Sequence, residues 1–465
     1  MSGLMEILAQ LNSIPEGIHV GIIPTVLLPF AILSTGISVV ATFIAGLFGV
    51  KLRAEGPKKL LEVLLKPKIL ITALIFNALI YGGMQGWQYI KHGPVPAFYQ
   101  NLRNRNSIAT NSAKSDIPGL HWQQNVEEGL FADGIIIGNE LYAGSKEGSL
   151  YVFNLKSGAL THRIYIGKFI APALTHFKGH LYFGEGLHHS HHMGIYKFDL
   201  KTKKIVGKFK TKGHTEAQVI ATTFKGEDYL FFSAGGDGLY AVDPKTMTKR
   251  WHYLNGHMDS HPIIQDGAIY IGTGTPLEDM GKTRPLGIKL DLTTGKELWA
   301  QELPLSSWFG PIALPEAVCF PLGEIHIKSS LGGYQCFNFA GERTKNIFVD
   351  SPVMGKQKLV NGKILFNDFK GTVHYWDYQS EAVLWEIDNS STKYSFSSSQ
   401  KVDEKHYLFF NRTGDGVIFD IEEGKVLSKM NFNKDESVFA DPIVHKDGFI
   451  ILGLKGTLKN YKKKI

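Results

Sequence analysis

The chain has 465 residues, with 50 Lys and Arg against 43 Asp and Glu, for a net charge of +7. Part of that modest surplus sits in the segment 51–68 and part in the terminal NYKKKI, so it favours contact with anionic lipid and argues against a nucleic-acid partner. No phosphate-binding loop, hydrolase elbow or nucleotide fold can be read in it.

Residues 1–19 place Leu4, Ile7, Leu8 and Leu11 on one helical face. A helix lying along a membrane surface and a short solvated helix both fit this pattern. From Val20 to Val50 there are 31 residues without a charged side chain, and a second apolar run extends from Ile69 to about Tyr89. Each exceeds the roughly 20 residues needed to cross a bilayer core. A secretory signal peptide is a poor match for the first run, which lacks a basic leading segment and is too long. Residues 20–91 are therefore expected to form a two-helix transmembrane anchor. Its connecting loop 51–68 holds Lys51, Arg53, Lys58, Lys59, Lys66 and Lys68 against Glu55 and Glu62, which keeps the loop in the cytoplasm. Two spans return the chain to its starting side, so the rest is expected on the periplasmic face of the inner membrane. Residues 92–118, with NLRNRNSIATNSAKSD at their centre, have the polar composition of a linker.

From residue 119 the material changes to a repeat. An Asp or Asn opening the same turn recurs at Asn154, Asp199, Asp243, Asp291, Asn338, Asp377 and Asp420, with gaps of 45, 44, 48, 47, 39 and 43 residues. Spacing of that size marks a stacked or radial array. Each copy holds paired apolar runs joined by Gly or Asp-Gly turns, as in DYLFFSAGGDGLYAVD, followed by a turn such as DLTTGK and an outer strand. Eight such copies predict an all-β, eight-bladed propeller of four-stranded blades over 119–465, preceded by two transmembrane α-helices. The last copy stops after its third strand, and the first begins with LHWQQ, whose Trp122 matches the outer-strand Trp251, Trp299 and Trp385. Residues 119–125 should therefore complete the last blade.

Two motifs resemble the quinoprotein (pyrroloquinoline quinone, PQQ) repeat. One is D-x-x-T-G-K-x-x-W from Asp291 to Trp299; the other is a small or polar residue shortly before Pro172, Pro262, Pro311, Pro352 and Pro442. Proteins with this repeat include membrane-bound alcohol and glucose dehydrogenases and a non-catalytic lipoprotein of the outer-membrane β-barrel assembly machine. The resemblance thus implies a fold more than a function. The related dehydrogenases use a vicinal Cys pair against the quinone, whereas Cys319 and Cys336 lie 17 positions apart. PQQ is accordingly not expected. A Cys319–Cys336 disulfide and two buried thiols are equally compatible with the sequence.

Aligning the inner strands on their prolines puts Phe131, Phe169, Glu216, Asp259, Trp308, Val349 and Phe439 at one level, with His214 and His257 two residues before the two acids. The loop GEGLHHSHHMG adds Glu185, His188, His189, His191 and His192 on the same, top face. Imidazole with carboxylate suits a divalent metal ion or a proton-transfer pair; polar residues that line a solvated funnel would look the same. Glu185, His188, His214, Glu216, His257 and Asp259 are the ligand or metal candidates. The long loops 272–287 and 323–333 suggest recognition, with Leu277, Arg284 and Trp308 as partner-binding candidates. The sequence thus favours a membrane-anchored binding or scaffold module for envelope proteins, without assigned catalytic residues. The alternative is a metal-dependent or redox enzyme at the funnel.

Overall fold

A computed structural model describes residues 119–462 except 171–172, 189, 277–278, 280–281, 326–330 and 433–434. The proposed anchor, its loop and the linker lie outside the described residues, among which no helix is long and apolar enough to cross a membrane.

Among the described residues thirty-two strands, β1 to β32, form eight four-stranded antiparallel sheets, one per repeat. The first strands of neighbouring sheets lie side by side, as β6 (Thr175–Phe177) does with β10 (Ile220–Phe224), and β30 (Ile443–His445) meets β2 (Ile135–Ile137) to close the ring. Closure has the expected form. β1 (Leu120–Asn125) pairs antiparallel with β32 (Thr457–Lys462), so the start of the propeller supplies the outer strand of its last blade.

Middle strands of each sheet are packed on both faces by neighbouring blades and read as continuous apolar runs; every residue of β15 (Ala268–Gly272) is buried. The core is accordingly distributed between blades. One cluster joins Phe231, Leu239 and Ala241 of the third blade to Ile269, Ile271 and Ile288 of the fourth. Outer strands are the most exposed, as in β5 (Leu160–Tyr165), where five of six residues are exposed.

The turn motif explains how blades register. In the copy at Asp291 the carboxylate Oδ1 accepts the backbone N–H groups of Thr293 (3.1 Å) and Thr294 (2.8 Å), and Gly295 follows at φ +69°. A Cβ on Gly295 would stand 2.6 Å from the ring of Trp251, which belongs to the preceding blade. Trp251 lays its ring on that glycine and donates Nε1–H to the Leu292 carbonyl at 3.0 Å. The same lock is made by Trp122 to Leu155, Trp299 to Phe339 and Trp385 to Ile421. Trp122 thereby fastens the last blade to the first. Cys319 and Cys336 stand opposite each other on β19 (Ala317–Gly323) and β20 (Gly332–Asn338) and form a disulfide.

Candidate functional site

Antiparallel winding puts two kinds of connection on the top face: the loop between second and third strands, and the link from an outer strand to the next inner strand. The isolated bridge between Leu130 and Ser145 ties one of each together in the first blade. These connections surround a cavity of about 410 Å³ at the mouth of the central channel.

One wall carries Glu216 and Asp259, and three imidazoles gather around Asp259. His214 and Asp259 come from successive outer-to-inner links, His257 lies two residues before Asp259, and His188 reaches in from the loop after β7 (His180–Gly184). Asp259 is the centre: its Oδ1 lies 2.7 Å from His214 Nε2, and its Oδ2 lies 3.0 Å from His257 Nε2 and 3.5 Å from His188 Nδ1. One ligand atom from each of the four side chains falls within 4.8 Å of the others. Burial opposes ionisation of Asp259, but the three imidazoles outweigh it and hold the carboxyl well below its usual range. The Asp259 hydrogen bond raises the pKa of His188; burial works against His214, yet the same carboxylate raises it too.

Glu216 lies beside this group and lines the cavity, with Oε2 accepting the backbone N–H of His188 at 2.8 Å. Burial, reinforced by the charge of Asp259, pushes its carboxyl up to about 7. Five of the six sequence candidates are thus brought together. Glu185 is not: its side chain is fully buried and pairs with Lys208 of β9 (Lys204–Lys210). His191 and His192 are exposed on the loop, and His189 lies outside the described residues.

The opposite wall is aromatic. Phe169 meets Phe131 at 4.7 Å between ring centroids, Phe131 stacks on Phe439 at 3.8 Å, and Phe439 stacks on Phe396 at 4.5 Å. Trp308, with Phe309, joins the two walls; it is 7% exposed and turns toward His188 and His257 at 6.5 and 6.1 Å. That places Trp308 in the funnel wall and not on an exposed rim. Arg284 is exposed and paired with Glu302 beside a separate groove, and Leu277 lies outside the described residues.

Three features were not read from the sequence. The hairpin AGGDG puts Gly235 at φ +58° against His214, where a Cβ would come within 2.5 Å of the ring, and Gly236 beside His257. Its three glycines were the available signal. In β22 (Val353–Val360), alone among the inner strands of the described residues, pairing shifts register between Met354 and Lys358, with Gly355 at φ +78°. Such a bulge redirects side chains, and here Lys356 reaches Asp133 at 2.7 Å and Asp441 at 3.6 Å. Burial disfavours its charge, but the two carboxylates more than compensate and raise its pKa. Nearby, burial with the Lys356 charge pushes His261 down to about 4. The third feature is the backbone carbonyl of Ser190, which adds to the raised pKa of His214.

No family model and no curated protein matches the sequence. Solved structures do. BamB from Moraxella catarrhalis is 11% identical with a TM-score of 0.57, over 75% of this chain and 100% of that one. The computationally designed Ika8 protein is 13% identical with a TM-score of 0.57, over 75% of this chain and all of its own. Quinohemoprotein alcohol dehydrogenase from Comamonas testosteroni is 12% identical with a TM-score of 0.56, over 76% of this chain and 78% of that enzyme. The fold is that of a PQQ-type repeat propeller. At these identities the likeness concerns architecture alone, and an enzyme and a designed protein share it.

Proposed function

We propose that this chain is a membrane-tethered, extracytoplasmic binding propeller of the cell envelope that captures a protein partner at its top-face funnel. The cavity carries the reading: Phe131, Phe309, Phe396 and Phe439 line a concave space of about 410 Å³ and remain only half-buried. Rings left open in a concave site are suited to anchor an inserted side chain, because covering them removes apolar area from water. The Cys319–Cys336 disulfide supports an oxidising compartment. The two apolar runs and their basic connector support the tether. PQQ has no part in this reading.

The test is photo-crosslinking in cells with a photoreactive residue at Phe309, compared with one at Leu298 on the outer strand β17 (Glu297–Glu302). Discrete adducts from position 309 and none from 298 are expected. Adducts from 298 alone would overturn the assignment of the face. Protease added to spheroplasts should remove the propeller; complete protection would overturn the location. The imidazole cluster favours a second reading, metal-dependent or redox chemistry, whose first requirement is a bound ion.

A further inference from the structure

We propose that His188, His214, His257 and Asp259 form a binding site for one divalent transition-metal ion of the zinc class, independently of whether the funnel also takes a protein partner. Asp259 is shared by all three rings: its Oδ1 lies 2.7 Å from His214 Nε2, and its Oδ2 lies 3.0 Å from His257 Nε2 and 3.5 Å from His188 Nδ1. A cation held there would engage three imidazole nitrogens and one carboxylate at once.

The three rings form a nearly equilateral triangle. His188, His214 and His257 have ring centroids 5.6, 5.7 and 5.5 Å apart, all around one carboxylate. Zinc bonds of about 2.0–2.1 Å to nitrogen and oxygen place tetrahedral ligand atoms about 3.3 Å apart. The contacts of Asp259 Oδ2 with His257 and His188, at 3.0 and 3.5 Å, bracket that edge. Three imidazoles and one carboxylate are the donors that zinc, copper, nickel or iron(II) take, and unlike the oxygen cage preferred by calcium or magnesium.

The surroundings hold these rings in place. Gly235 lies so close to His214 that any other residue would displace it, and Trp308 covers the side toward the cavity. Four ligands from three connecting segments close the coordination sphere, so the ion would join the loops of blades two to four. It is a capture site and not an open hydrolytic centre. The exposed His191 and His192 lie outside it.

The full chain in detergent, without a histidine tag and stripped with chelator, should be loaded with zinc, desalted and analysed for metal. One equivalent retained is expected. His214→Ala and His257→Ala should each weaken zinc binding at least 100-fold by competition with a chromophoric chelator, and Asp259→Asn at least tenfold. The double variant His191→Ala, His192→Ala should stay within twofold of the parent. Zinc lost on desalting, or retention abolished by the loop double variant and unaffected by His214→Ala, would overturn the site. Cobalt(II) added to the unmutated chain provides a test that does not depend on any variant folding. Intense visible bands of a four-coordinate ion are expected, and the pale spectrum of hydrated cobalt would count against the proposal. These readings use the metal alone, so they stand or fall separately from the crosslinking result.

Discussion

The two halves of the funnel occupy the same level of the same repeat and differ in side chains and in the segments that carry them. Blades seven, eight, one and two present Phe396, Phe439, Phe131 and Phe169, whereas blades three and four present Glu216 and Asp259 with imidazoles above them. The repeat therefore fixes where side chains stand, and the connecting segments decide the chemistry. The aromatic half is held by ring contacts that tolerate small shifts. The imidazole half depends on backbone placed within one atom's width, which makes it the more fragile of the two.

That contrast can be tested, beginning with the largest effect. Gly235→Val forces a β-branched residue to φ +58° with its Cβ 2.5 Å from His214. It should cost about 3 kcal/mol in urea unfolding and abolish metal retention. Phe439→Ala in the aromatic half should cost less, about 2 kcal/mol because the ring is only half-buried, and should leave metal retention unchanged. Loss of metal there would show that the halves are coupled.

A histidine outside the funnel separates structural from site imidazole. His374 is buried between Glu386 at 2.9 Å and Asp368 at 3.3 Å. Burial opposes its charge, but the two carboxylates raise it to about 9. Its protonated form is therefore favoured in the folded state. This stabilisation is complete below the ordinary histidine value of about 6.5 and disappears as pH rises through 9. Relative to His374→Gln, the parent should lose about 1–3 kcal/mol between pH 6 and pH 9.5, with no change in metal content at neutral pH. An unchanged difference across that range would show that the ring is not charged. The smallest effect is expected from Arg284→Ala, which breaks an exposed pair with Glu302 and should move stability by no more than about 0.5 kcal/mol.

The ring of blades was legible because its signals are local. Asp291 builds its turn from residues two and three places on, and Trp251 needs only the glycine of the next copy, so both recur in the sequence at fixed spacing. Four of the clustered residues could be foreseen because inner strands share one register. Glu185 misled because strand alternation turns it to Lys208, an ion pair that no spacing announces. The Gly235 cradle, the Ser190 carbonyl and the Lys356 bulge join segments that the repeat does not align. A register shift in β22 also defeats an alignment made on prolines.

The indole locks have a mechanical consequence. They occur at the junctions from blade eight to one, three to four, four to five and six to seven. Blade two has an indole at neither flank; beyond apolar packing, its junctions carry Lys203 with Glu140 on one side and Lys197 with the Pro244 carbonyl on the other. Long, flexible ammonium chains yield where a stacked ring does not. The wheel is therefore most compliant at the blade that carries the histidine-rich loop, and amide exchange should begin there while the clasp at Trp122 stays shut.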